Sequence, residues 1–185
     1  MKKKPLLITA YALAIAIVVG IIVLAVVPVS TFPQINNPTA EIEIQYETDA
    51  SSKLVYTTED DNYNKVLKEI KKGFSVNFLT GLFNGYLSST EKDPVPQTAK
   101  PPVVYVTFNY LQPQTLKVNG KLQNKSSNSA EKLTYTTLSF GISEANAGSL
   151  VSVYFTTNDE DYSKYVVKYY ANLSNVYELI QELKP

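Results

Sequence analysis

The segment Tyr162 to Leu183, YSKYVVKYYANLSNVYELIQEL, decides what kind of domain this chain builds, because the period of its apolar residues selects helix or strand. Tyr162, Val166, Tyr169, Leu173, Val176, Ile180 and Leu183 recur at steps of 4, 3, 4, 3, 4 and 3. That spacing lines them along one helical face. It predicts a continuous helix over 162–183, seated by its seam on a sheet. The alternative use of the seam is a coiled coil with a partner helix, since lysines and glutamates fall outside it.

Upstream, Thr156 to Lys164 (TTNDEDYSK) matches Thr57 to Lys65 (TTEDDNYNK) at an offset of 99 residues. Each copy follows two β-prone runs joined by a short polar connection. In the first, Glu41 to Glu47 alternates with Ile42, Ile44 and Tyr46 on one face, Asp49 to Ser52 turns the chain, and Lys53 to Tyr56 returns. In the second, Lys132 to Ile142 leads, Ser143 to Ser149 connects, and Leu150 to Phe155 returns. Both units therefore read as hairpin then helix. The first helix starts on the same spacing, with Tyr63, Leu67, Ile70 and Phe74, and Gly73 and Gly81 are expected to break it into pieces over 60–72 and 75–87.

Between the units, Asp93 to Pro102 (DPVPQTAKPP) is a proline-rich connection, and Val103 to Leu111 alternates as a strand. Thr115 to Val118 and Lys121 to Gln123 flank Asn119-Gly120, the dipeptide favoured in a two-residue hairpin turn. The expected class is α+β, mostly antiparallel, with two hairpin-helix repeats around an inserted β-meander. The alternative is a β-sandwich with added helices.

At the other end of the chain, Leu6 to Val27 (LLITAYALAIAIVVGIIVLAVV) runs for 22 residues without a charge. As a helix it reaches about 33 Å, enough to cross the hydrocarbon core of a bilayer. Lys2, Lys3 and Lys4 precede it and the next lysine is Lys53, so the positive-inside rule places the N-terminus in the cytoplasm. A cleaved signal peptide shares the basic start but has a shorter apolar core, and it remains the alternative. The expected organisation is a basic tip and membrane anchor over 1–29, a proline-containing linker over 30–40, and an extracytoplasmic α+β domain over 41–185.

Composition restricts the chemistry. The 17 basic residues are all lysine, and the chain has no His, Cys, Trp or Arg. A Ser-His-Asp triad, a His- or thiolate-ligated metal and a disulfide framework are all excluded. Beyond the anchor the net charge is about −3, which argues against nucleic acid as a partner. The composition resembles that of archaeal surface proteins, a likeness of residue usage and not of motif. No cofactor is expected.

Four sets of residues remain as candidates. Asp60 and Asp61 with Asp159 and Asp161 are weak metal or acid/base candidates, better read as helix caps where a strand meets a helix start. A Ser-Lys dyad is the one nucleophilic arrangement left open. Tyr165, Tyr170 and Tyr177 lie off the seam and are candidate interaction residues, tyrosine being suited to interfaces. Asn124 and Asn172 head the sequons Asn124-Lys125-Ser126 and Asn172-Leu173-Ser174 and are candidate glycosylation sites in an exported domain.

The functional expectation is a single-pass, non-catalytic accessory or structural subunit of a cell-envelope or membrane-bound complex. It would hold to the bilayer through Leu6 to Val27 and to other membrane or envelope proteins through its domain. Two alternatives stand beside it. One is an exported recognition or toxin-like module binding glycan or a target membrane; the other is an enzyme limited to carboxylate or Ser-Lys chemistry.

Overall fold

The computed structural model describes residues 4–32, 41–46, 49–82, 84–91, 104–118, 131–143, 149–157 and 164–184. Within them the chain is α+β. One apolar helix, α1 (Lys4–Val26), precedes a seven-stranded antiparallel sheet carrying two helices on one face. The sheet strands are β2 (Glu41–Tyr46), β3 (Asp49–Tyr56), β5 (Tyr86–Glu91), β6 (Val104–Val118), β7 (Glu131–Ile142), β8 (Ser149–Thr156) and β9 (Lys164–Ala171). They lie in the order β3-β2-β6-β7-β8-β9-β5. Two short strands, β1 (Pro28–Ser30) and β4 (Ser75–Asn77), make a separate ribbon.

Register gathers the apolar residues on one face, because directly opposed residues in antiparallel strands share a side. Ile44 opposes Val106, Val106 opposes Phe140, Phe140 opposes Val153, and Val153 opposes Val167. All five are buried. The other face is led by more polar neighbours: Glu43 opposes Thr107, Thr107 opposes Ser139, and Ser139 opposes Tyr154.

The apolar face is covered by α2 (Asp61–Gly73), which buries Tyr63, Val66 and Ile70, and by α4 (Ser174–Glu182), which buries Val176, Leu179 and Ile180. Tyr46 donates its hydroxyl to the Ile180 carbonyl at 2.8 Å, tying α4 to β2. The two helices meet where Asn172 N donates to Gly73 O at 2.8 Å. A Cβ on Gly73 would lie 2.7 Å from Asn172 O, so the crossing requires glycine for closeness of approach.

Phe74, fully buried just past α2, centres the core. Its ring lies 5.3 Å from Phe32 and 5.3 Å from Phe140, both tilted or edge-on, and 6.0 Å from Tyr169. Such pairs each add about 0.5–1.5 kcal/mol beyond burial.

Several expectations are corrected. The predicted helix over 162–183 is strand β9 followed by helix α4, with the break at Asn172 and Leu173. Tyr165, Val167, Tyr169 and Ala171 face the core at period 2, and this alternation overrides the 3.5 spacing. The second unit consequently runs hairpin, strand, helix, while the first runs hairpin (β2, β3) then helix (α2), so the repeat does not extend past the hairpins. The predicted helix over 75–87 is instead β4, a single turn α3 (Phe78–Gly81), and the start of β5. The predicted turn at Asn119-Gly120 lies outside the described residues, and before it stands Thr115 to Val118. That segment continues β6 past an irregularity after Asn109 and pairs with Glu131 to Thr134. Lys121 to Gln123 lies outside the described residues.

The linker drawn at 30–40 also changes at its start. Pro28 to Ser30 pairs with Ser75 to Asn77, and Phe32 is 6% exposed within the core. Residues 33–40 lie outside those described.

Candidate interaction surface

Helix α1 stands apart from the core. Its stretch Ile8–Val26 has a mean hydropathy of 2.7 and none of it is buried, so it is long and apolar enough to cross a membrane. What it joins is a braced junction. Thr31 donates from N and from Oγ1 to the Phe74 carbonyl, at 3.2 and 2.6 Å. Phe32 then inserts its ring between Phe74 and Phe108, at 5.3 and 5.6 Å.

Asn84 locks the same corner. It is 5% exposed, and its Nδ2 donates to Thr31 Oγ1 at 3.1 Å and to Tyr170 O at 3.4 Å, while its Oδ1 accepts from Tyr170 N at 2.8 Å. One side chain thus joins the helix exit to β9. Gly85 follows with φ +69°, its backbone passing 3.4 Å from the Tyr169 ring at the position a Cβ would take. Left-handed backbone and close approach both favour glycine there.

The candidate interaction tyrosines divide. Tyr170 is 42% exposed and opposes Leu150, 50% exposed, on the outer face of the sheet. Tyr165 is buried at 3% and points with the core face of β9. Tyr177, on α4, is half-buried and packed against the core. Tyr170 is therefore the surface member of the three, and it sits at the end of the sheet where α1 enters.

Around that entry lie further exposed apolar side chains: Phe78 and Leu79 on α3, Leu82 just after it, and Tyr86 at the start of β5. The far end of the sheet differs. There Pro113, Lys132, Tyr135, Thr157 and Tyr165 help line a recess of 330 Å³.

Of the four acidic candidates, Asp60 and Asp61 lie within the described residues. Asp60 stands at the N-cap position of α2, but its Oδ2 turns back to accept from Thr57 N at 2.6 Å and Thr57 Oγ1 at 3.0 Å, making no cap bond to the helix. It closes the turn from β3 rather than the helix end, and Asp61 supplies the negative charge in the first helical turn. Asp159 and Asp161 lie outside the described residues. Among the described residues no group of three or more His, Cys, Asp or Glu is placed to hold a metal ion.

Sequence reading missed one polar pair. Lys168 Nζ donates to Ser152 Oγ at 2.5 Å across β8 and β9, where the two residues are in register. Sixteen residues separate them in the chain, so only correct assignment of 164–171 as a strand would have brought them together. The pair lies on the outer sheet face.

Of the sequons, Asn172 is exposed. Its Oδ1 accepts from Ser174 Oγ at 2.9 Å and from Ser174 N at 3.3 Å. Asn124 lies outside the described residues.

Burial raises the proton affinity of the core tyrosines. Tyr135 is pushed up to about 12 by desolvation, and Tyr110 and Tyr169 are raised further, also chiefly by desolvation. These hydroxyls stay protonated across ordinary pH and serve packing.

Comparison with protein-family models, curated proteins and solved structures finds no match for this chain.

Proposed function

We propose that this chain is a single-pass membrane protein whose extracytoplasmic domain is a non-catalytic accessory or structural subunit of a membrane-bound or cell-envelope complex. The observation that carries this reading is the braced junction. Thr31, Phe32 and Asn84 fasten the exit of α1 into the core, so a bilayer gripping α1 holds the sheet in a set pose. A fixed pose suits a subunit that presents a surface to neighbours in the same membrane. Lys2 to Lys4 ahead of the helix favour a cytoplasmic N-terminus.

Tyr170 and Leu150, half-exposed beside one another close to the junction, are the surface that a partner in the membrane would meet. Chemical crosslinking in native membranes followed by mild-detergent extraction tests the proposal. A discrete stoichiometric complex, weakened by Tyr170→Ala, is expected. Recovery of an uncrosslinked monomer under conditions that fix other membrane complexes would overturn it.

A further inference from the structure

Phe78, Leu79 and Leu82 form an apolar tip whose position is set by strand register. In the β1–β4 ribbon Pro28 opposes Asn77 and the strands are antiparallel. The residues after Asn77 therefore run back alongside the residues before Pro28, which are Val27 and Val26 at the end of α1. The chain turns once as α3, which packs against both α1 and β1. Gly81 comes within 3.9 Å of Thr31 Cγ2 and about 4.0 Å of Val29 Cβ, measured from the position of its absent Cβ. By Asn84 the chain has returned to the level of Thr31, where it makes its hydrogen bond. The segment 78–82 thus dips beside the last turn of α1 and comes back.

Within this dip Phe78, Leu79 and Leu82 are 37%, 45% and 56% exposed. Three large apolar residues in five would be costly to leave in water. The neighbour that covers them is identified by what lies alongside. Val26 and Val27 belong to the same helix end that enters the bilayer, and 19 residues of apolar helix reach roughly 28 Å, about one hydrocarbon thickness. The tip is at the depth where that thickness ends. Asn77 caps α3 by accepting from Thr80 N at 2.8 Å, which satisfies backbone in a poorly hydrated setting. Lys71 and Lys72, exposed in the last turn of α2, lie close by, since Ser75 Oγ donates to Lys71 O and Ser75 opposes Ser30. Of the two, Lys72 Nζ lies 3.6 Å from Glu69 Oε2, so Lys71 is the ammonium offered to lipid phosphate.

We propose that Phe78, Leu79 and Leu82 insert into the outer interfacial layer of the same bilayer that α1 crosses, as a second membrane contact that holds the domain down on the lipid surface. This inference rests on the anchor reading above. The two contacts together, one spanning and one interfacial, restrict tilt of the domain about the helix exit.

The chain contains no Trp, so a single introduced one reports on its own site. Full-length chain carrying Leu82→Trp, with Leu79→Trp as a second variant, is reconstituted into phosphatidylcholine vesicles with and without acyl-chain bromination. Leu111→Trp, at a position 76% exposed on β6, is the aqueous control. The expected result is bromolipid quenching several-fold stronger at Leu82→Trp or Leu79→Trp than at Leu111→Trp, with acrylamide quenching reduced to the same degree. Acrylamide quenching equal to the control overturns the inference. So does shielding from both quenchers, which would mean that protein covers the tip. Flotation of the same samples is read separately: a chain that fails to float with vesicles overturns the anchor reading, and this inference with it.

Discussion

At the residue scale, two residues fix how separate segments of the fold meet. Gly73 allows α2 to touch the turn between β9 and α4, where a Cβ would meet both Asn172 O and Leu173 Cδ2 at 2.7 Å. Gly73→Ala is expected to cost about 1–3 kcal/mol through overpacking against backbone, seen as a lowered unfolding midpoint of the full-length chain in detergent. Asn84 makes hydrogen bonds to two separate segments while almost wholly buried. Asn84→Leu, similar in size, leaves Tyr170 N and Thr31 Oγ1 without that partner and is expected to cost about 1–3 kcal/mol by the same melt. A midpoint unchanged in either variant would contradict the role given to that residue. Neither residue stands out in the chain itself. Gly73 reads there as a helix breaker, and Asn84 as one polar residue in FLTGLFNGYL, because both acquire their roles from distant segments, 53 and 86 residues away for Asn84. Tyr165 and Tyr170 were equivalent by sequence for the same reason. Only strand geometry separates a core-facing odd position from an outward-facing even one.

At the element scale, the hairpin β2–β3 and helix α2 were legible because each shows one period without competition. Ile42, Ile44 and Tyr46 alternate, while Tyr63, Val66 and Ile70 recur at helical spacing. Tyr162 to Leu183 was not, since Val166 and Tyr169 both stand on the helical seam while Tyr169 also belongs to the period-2 core face of β9. Val166 is 4% exposed although it faces away from Val167, and this one buried residue on the outer face, beside half-buried Lys168 and exposed Tyr170, blurs the alternation of β9. The β-branched and aromatic run YVVKYY favours a strand. Helix resumes only after Asn172, where Leu173, Val176 and Ile180 keep the helical seam. The β1–β4 ribbon was equally hidden, its two strands being three residues each and separated by 44 positions. Its register makes a direct prediction. In a chain that lacks cysteine, Ser30→Cys with Ser75→Cys places two thiols on opposed residues, within the Cα separation a disulfide spans. Mild oxidation should close that bond in the full-length protein and leave its melting behaviour cooperative. A mobile linker at residue 30 would instead give slow, incomplete closure no faster than Ser30→Cys paired with Ser88→Cys.

For the whole molecule, charge and burial predict how stability responds to pH. Tyr135 titrates from an ordinary value of 10.0 in the unfolded chain and is raised to about 12 in the fold, with Tyr110 and Tyr169 raised further. Below pH 10 both states hold the phenolic proton and the full stability is present. Above it the unfolded chain ionises while the folded chain does not, so stability falls by about 1.4 kcal/mol per pH unit for each such group. The fall from Tyr135 ends once pH passes its folded value. Thermal melts should therefore lose midpoint steeply above pH 10, with tyrosinate absorbance at these groups appearing only on unfolding. Midpoints flat across that range would place the three hydroxyls in water.

The account as a whole rests on α1 being kept as an anchor with the domain on the outer side. The absence of cysteine makes this open to one clean measurement, labelling of single-cysteine variants in intact cells with a membrane-impermeant maleimide. Leu111→Cys should label from outside, whereas Lys2→Cys should label only after the membrane is permeabilised, on a polypeptide of unchanged length. Labelling of Lys2→Cys in intact cells, or its loss from a shortened chain that carries Leu111→Cys into the medium, would contradict it.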